Sequence, residues 1–98
     1  MPYTYMVRCR DGSLYTGYTT DLERRINTHN SGRGAKYTKS RLPVVLVWRQ
    51  YCEETRQARR LECAVKKLTR KQKECLIQNP KRVYEFCATV WREENGKS

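Results

Sequence analysis

A chain of 98 residues can build one hydrophobic core but not two. Lys and Arg outnumber Asp and Glu by 21 to 10, a formal charge of +11 that would attract polyanions strongly at low salt. Nucleic acid is the first expected partner, ahead of acidic membranes and ribosomal surfaces. No apolar run approaches the roughly 18 residues of a membrane span, and the N-terminus lacks a signal-peptide core. A soluble, cytoplasmic protein with no membrane partner is expected. Leu, Val, Tyr and Trp are spread along the whole chain, which argues against disorder.

Tyr3 to Cys9 is rich in aromatic and β-branched residues and predicts a strand. Asp11-Gly12 is a hairpin turn signal, and Leu14 to Thr19 reads as the returning strand. A two-residue turn would set Tyr5 and Tyr15 on opposite faces; a three-residue loop, Asp11-Gly12-Ser13, would bring them to one face. Thr20 and Glu23 have the spacing of a capping box and open a helix to about Asn30, with Leu22 and Ile26 on its apolar face. Ser31 to Arg41 holds two glycines and four basic residues without apolar periodicity, so a mobile basic loop is expected.

After Pro43, the near-continuous apolar run Val44 to Tyr51 suggests a central strand covered on both faces. Thr55 to Leu68 sets Ala58, Leu61, Val65 and Leu68 at helical spacing beneath a basic surface. Thr69 and Gln72 repeat the capping-box form before a helix to about Gln78, which Asn79-Pro80 ends. Val83, Phe86, Val90 and Trp91 fit a packed last helix or a strand. Residues 1–92 form one domain in this reading, with the tail from Glu93 to Ser98 frayed. The five cysteines are odd in number and lack C-x-x-C spacing, which favours buried thiols over zinc or disulfides. The fold class expected is α+β: a small, mainly antiparallel three-stranded sheet flanked by helices, in the order β-β-α-β-α-α.

Tyr5 in the first strand and Tyr15-Thr16-Gly17 in the second resemble the paired motifs of the GIY-YIG nuclease superfamily. The first motif is reduced here to its final tyrosine. Thr19 to Asn30 is similar to the family's first helix, with its arginine, Arg25, and a histidine one turn on, His29. Ser31 to Thr38 resembles the loop of small, single-domain YhbQ-like bacterial proteins, and Ala58 to Leu68 their metal-site helix.

The resemblance implies phosphodiester hydrolysis in nucleic acid, with DNA expected ahead of RNA. Tyr15, with Tyr5 as partner, would activate water, and Arg25 would stabilise the phosphate. Glu62 would hold one divalent cation, Mg²⁺ or Mn²⁺. Chemistry suits these residue types: a guanidinium stays charged and offers two donors to a phosphate, and Mg²⁺ keeps most of its waters, so one carboxylate is enough. Each residue also has a plainer reading. Tyr5 and Tyr15 could fill the core, Glu62 could pair with neighbouring cations, and His29 could either pack against the hairpin or act as acid–base and substrate contact. Arg24, Arg33, Lys36, Lys39, Arg41, Arg59 and Lys66 are the expected nucleic-acid contacts. The alternative function is a non-catalytic basic DNA- or RNA-binding module, or an accessory subunit of a larger complex. A monomer is expected, with a protein partner supplying specificity. Two departures stand out: Tyr18 stands where some relatives carry Lys or another polar residue, and the C-terminal asparagine that some members use near the site has no clear counterpart, Asn79 being a weak candidate.

Overall fold

The computed structural model describes residues 1–95. Strands β1 (Tyr3–Arg8) and β2 (Leu14–Thr19) pair antiparallel, with Tyr5 opposite Gly17 and Val7 opposite Tyr15. The connection has three residues, Arg10-Asp11-Gly12, one step upstream of the loop expected from sequence. Gly12 N–H donates to the Cys9 carbonyl (2.9 Å), and Cys9 N–H to the Ser13 carbonyl (2.8 Å). Gly12 takes φ +87°, the left-handed conformation that closes a three-residue hairpin at little cost only for glycine. Because the side-chain period is two, this loop sets Tyr5 and Tyr15 on one face of the sheet.

Strand β3 (Val45–Tyr51) pairs antiparallel with β1, giving the order β2-β1-β3. This corrects the expectation of a central β3. The central strand is β1, whose residues Thr4 to Val7 are all buried; β3 is an edge, with Val45 61% exposed. Its apolar run has another cause. A register shift between Met6 and Val7 puts Trp48 opposite Met6 but Leu46 opposite Val7, so β3 serves both faces of the sheet. One face packs Tyr5, Val7 and Val44 with Tyr15, Leu22, Ile26 and Leu46. The other packs Met6 and Trp48 with Ala58, Leu61, Val65, Leu76, Val83 and Val90.

Helix α1 (Leu22–Asn30) covers the Tyr5 face. Its N-cap is Asp21, not Thr20: the Asp21 carboxylate accepts from Arg24 N–H at 3.2 Å, while Thr19 Oγ1 accepts from Asp21 N–H. The expected basic loop contains a short helix, α2 (Lys36–Lys39). Asn30 closes this segment by donating to the Val44 carbonyl (3.1 Å) and accepting from Val44 N–H (2.7 Å).

Helices α3 (Thr55–Lys66) and α4 (Arg70–Gln78) cover the opposite face, and α4 has the Thr69/Gln72 capping box expected from sequence. A single 3-10 turn (Pro80–Arg82) leads to α5 (Val83–Phe86) and α6 (Ala88–Asn95), which settles the last segment as helical. Helix thus continues past Glu93, where fraying was expected; residues 96–98 lie outside the described residues. Among the described residues no helix is long and apolar enough to cross a membrane.

A charged clamp ties the hairpin to α4. Arg8 grips Glu74 through two hydrogen bonds (3.0 and 2.8 Å), and Arg70 bridges Glu74 (3.0 Å) to the Gly12 carbonyl (2.9 Å). Hydrogen bonding from Arg8, reinforced by Arg70, holds the Glu74 carboxyl down at about 2. A depressed carboxylate contributes stability above its unfolded pKa and loses it as pH falls through the folded value. The pair is a third exposed, so solvent screening reduces its worth to about 1 kcal/mol. Glu74→Gln should therefore lower stability by about that amount at pH 7 in urea titrations. The difference from the parent protein should shrink between pH 4.5 and about 2.

Candidate functional site

The site forms where α1 crosses the tyrosine face of the hairpin. Tyr5 and His29 are both fully buried, and the Tyr5 hydroxyl lies 2.8 Å from His29 Nε2. Arg25, one turn before His29, donates its Nε–H to the same hydroxyl at 3.2 Å. Thr38 Oγ1, from α2, lies 2.9 Å from His29 Nδ1 and donates to the Ala35 carbonyl at 2.9 Å. The Tyr15 ring meets His29 edge-on, with centroids 5.4 Å apart, and stacks on Tyr37.

Two glycines make room for these contacts. A Cβ on Gly17 would come within 2.7 Å of the Tyr5 hydroxyl. One on Gly34 would sit 2.3 Å from His29 Nδ1 and 2.8 Å from the His29 Cα. The second clash involves backbone and cannot be relieved by a rotamer change.

Burial sets the electrostatics. Desolvation raises the Tyr5 pKa, partly offset by the Arg25 hydrogen bond, with the Glu62 carboxylate adding to the rise. Burial and then the Arg25 charge lower the His29 pKa, so the ring is neutral at physiological pH. Burial opposes the Arg25 charge, but the hydrogen bond with Tyr5 and the nearby Tyr15 hydroxyl outweigh it and raise that pKa.

Glu62 comes from α3, on the flank where the helix leaves the core. Thr4 anchors this helix by donating to the Ala58 carbonyl at 2.7 Å, one turn before Glu62. The Glu62 side chain is 17% exposed and bridges Lys66 Nζ at 3.1 Å, and Lys66 also stands 6.0 Å above the Tyr15 ring. Among the described residues no cluster of three or more His, Cys, Asp or Glu is present. One half-buried carboxylate fits a hard cation that retains its water, and fits poorly the all-protein cage of a structural zinc.

Tyr5, Tyr15, Arg25, His29 and Glu62 are thus brought together, with Lys66 beside them. His29 has both ring nitrogens engaged and no exposed surface, which corrects the expectation of direct substrate contact. The expected nucleic-acid contacts divide. Arg24, Arg33, Lys36, Lys39 and Arg59 are exposed. Arg24 and Arg33 line one groove of about 400 Å³ along α1, and Arg59 lines another along α3. Arg41 is partly exposed and already partnered: it bridges Asp11 (3.1 Å), donates to the Tyr37 carbonyl (2.7 Å) and covers the Tyr37 ring at 4.0 Å. Sequence reading missed Gly34 and Thr38, since neither belongs to an apolar pattern and both act on a helix outside their own segment. The only signal was their place in the loop shared with the resembled proteins.

A three-stranded sheet with paired tyrosines, an arginine on the following helix and a carboxylate on the next long helix defines a small nuclease-type domain. The chain belongs to the GIY-YIG family: the model of the GIY-YIG catalytic domain matches residues 1–75. It is 55% identical to a UPF0213 protein of Bacillus cereus over 78 residues, which are 80% of this chain and 81% of that one. A UPF0213 protein of Staphylococcus haemolyticus is 53% identical over 76 residues, 78% of this chain and 93% of that one. The solution NMR structure of a UPF0213 protein of Bacillus halodurans matches with a TM-score of 0.53 at 46% identity, covering 91% of this chain and 96% of that one.

The packing of Gly34 on His29 is testable by stability alone. Gly34→Ala should cost about 1–3 kcal/mol, the usual range for overpacking a tight core, in thermal or urea denaturation.

Proposed function

We propose that this protein is a divalent-metal-dependent endonuclease that hydrolyses phosphodiester bonds in nucleic acid, DNA before RNA. The observation that carries the reading is the convergence of Arg25, Tyr5, Tyr15 and Glu62 from four separate elements on one spot. A core made only of packed tyrosines would not need a guanidinium and a carboxylate facing it.

Tyr15 is half-buried, whereas Tyr5 is fully enclosed, so Tyr15 is the hydroxyl that an attacking water can reach. A free phenol has a pKa near 10 and needs cationic company to take a proton at neutral pH. Arg25 and Lys66 stand beside Tyr15. Arg25 also faces the charge that builds on the phosphate in the transition state, and its contact with Tyr5 fixes its direction beforehand. Glu62, released from Lys66, would hold Mg²⁺ or Mn²⁺ together with water. The cation would supply neutralising charge for the phosphate and the leaving oxygen. Arg24, Arg33, Lys36, Lys39, Arg59 and Lys66 supply the surrounding positive field, which gives affinity without sequence reading. Specificity then comes from a partner or from substrate shape.

A panel of labelled single-stranded, duplex and branched DNA and RNA tests this in Mg²⁺ and Mn²⁺, with EDTA as control. Cutting should vanish with EDTA and fall at least about 100-fold in Glu62→Ala, beyond the usual effect of disturbing a metal's surroundings. Arg25→Ala should lose on the order of 10²–10³-fold. Binding should persist in Glu62→Ala and weaken steeply from about 50 to 200 mM salt. Salt-sensitive binding with no cleavage anywhere on the panel would instead identify a basic binding module or an accessory subunit. Salt-independent binding would remove the nucleic-acid assignment.

A further inference from the structure

Four side chains behind the candidate site form a hydrogen-bonded row: Arg25, Tyr5, His29 and Thr38, ending on the Ala35 carbonyl. Its direction follows from what each group is able to do. Arg25 Nε–H can only donate, so the Tyr5 oxygen accepts at that end. The buried Tyr5 proton then has one acceptor among these contacts, His29 Nε2. At the far end Thr38 Oγ1 lies 2.9 Å from the Ala35 carbonyl, which can only accept. A hydroxyl has one proton; once it goes to Ala35, Thr38 is left to accept from His29 Nδ1–H. Both ends require the same imidazole: neutral, protonated on Nδ1 and bare on Nε2. The opposite tautomer would aim two N–H groups at the Tyr5 oxygen and leave a buried phenolic proton without a partner, at a cost of about 1–3 kcal/mol.

We propose that Thr38 is a positioning residue that, together with Tyr5, holds His29 in the Nδ1–H form and so steadies the direction of Arg25. Part of this rests on the nuclease reading, namely the effect on turnover; the tautomer itself does not. Thr38 is fully buried and Gly34 presses on the same ring nitrogen, so water cannot take over the hydroxyl's place. The lowered His29 pKa keeps the ring neutral, as a fixed tautomer demands. Loss of Thr38 leaves Nδ1–H buried with no acceptor, which removes one of the two contacts that favour the Nδ1–H form and loosens the ring's hold on Tyr5 and Arg25.

The chain has one histidine, so its imidazole nitrogens can be read without assignment ambiguity. Long-range ¹H–¹⁵N NMR at pH 7.5 should find wild-type His29 neutral and protonated on Nδ1. Thr38→Val should move the Nδ1 and Nε2 resonances away from the wild-type Nδ1–H pattern, and Thr38→Ser should restore it. If cleavage is established, Thr38→Val should lower kcat at least tenfold with KM little changed, and Thr38→Ser should recover most of it. An Nε2–H ring in the wild type overturns the proposal without any variant, even if Thr38→Val fails to fold. Unchanged imidazole ¹⁵N resonances in folded Thr38→Val overturn it as well. The inferred tautomer pattern together with an inert protein would refute the nuclease reading and leave the row's direction standing.

Discussion

A buried phenol and a buried imidazole share one hydrogen bond at the junction of the hairpin and the first helix, and the polar side chains around them are arranged by it. Neither Tyr5 nor His29 has access to water, so each must find its partners inside the protein. That requirement draws in Arg25 from one side and Thr38 from the other. It also explains why glycine stands at positions 17 and 34, where any side chain would intrude on one ring or the other. A surface constellation of the same groups would be mobile and hydrated. Here the guanidinium is held in a fixed direction by Tyr5, which is what its proposed role toward a phosphate would require.

The two faces of the sheet divide the work. On one, Met6, Trp48, Leu61 and Val65 make an ordinary apolar core that fixes α3 and, through Thr4 and Ala58, the turn that bears Glu62. On the other, a smaller cluster of Val7, Val44, Leu22 and Ile26 holds α1 and surrounds the polar row. The metal-binding carboxylate proposed here and the phosphate-facing arginine therefore depend on different cores, joined by a single strand. That strand is β1, and its fully buried middle is the reason the site can have two sides.

Much of this was legible in the residues. Alternation and turn chemistry marked the hairpin, helical spacing marked α3, and the Thr69/Gln72 pair capped α4 as its pattern implied. Where reading failed, a tertiary contact had overridden a local pattern. The apolar run of β3 mimicked a central strand because a bulge shares its residues between two cores. Thr20 lost the cap of α1 because Thr19 Oγ1 already held the backbone of Asp21. Tyr5, Tyr15, Arg25, His29 and Glu62 were marked by the resemblance to the GIY-YIG motifs. Thr38 and Gly34 were not, because their importance lies wholly in a ring from another element. Arg41 looked free only because its partners, Asp11 and Tyr37, belong to a turn and to a loop with no periodicity.

The double hydrogen bond between Asn30 and Val44 has a consequence for how the site fails. It fastens both ends of the segment from Ser31 to Pro43, so that segment can open while the sheet and α1 remain folded. Opening would strip His29 of Thr38 and Gly34 together and let solvent reach the imidazole. The fraction of molecules with a properly prepared arginine is then governed by the local opening free energy of a surface segment, not by the global stability of the domain. In amide hydrogen exchange, protection at Thr38 would report that fraction directly.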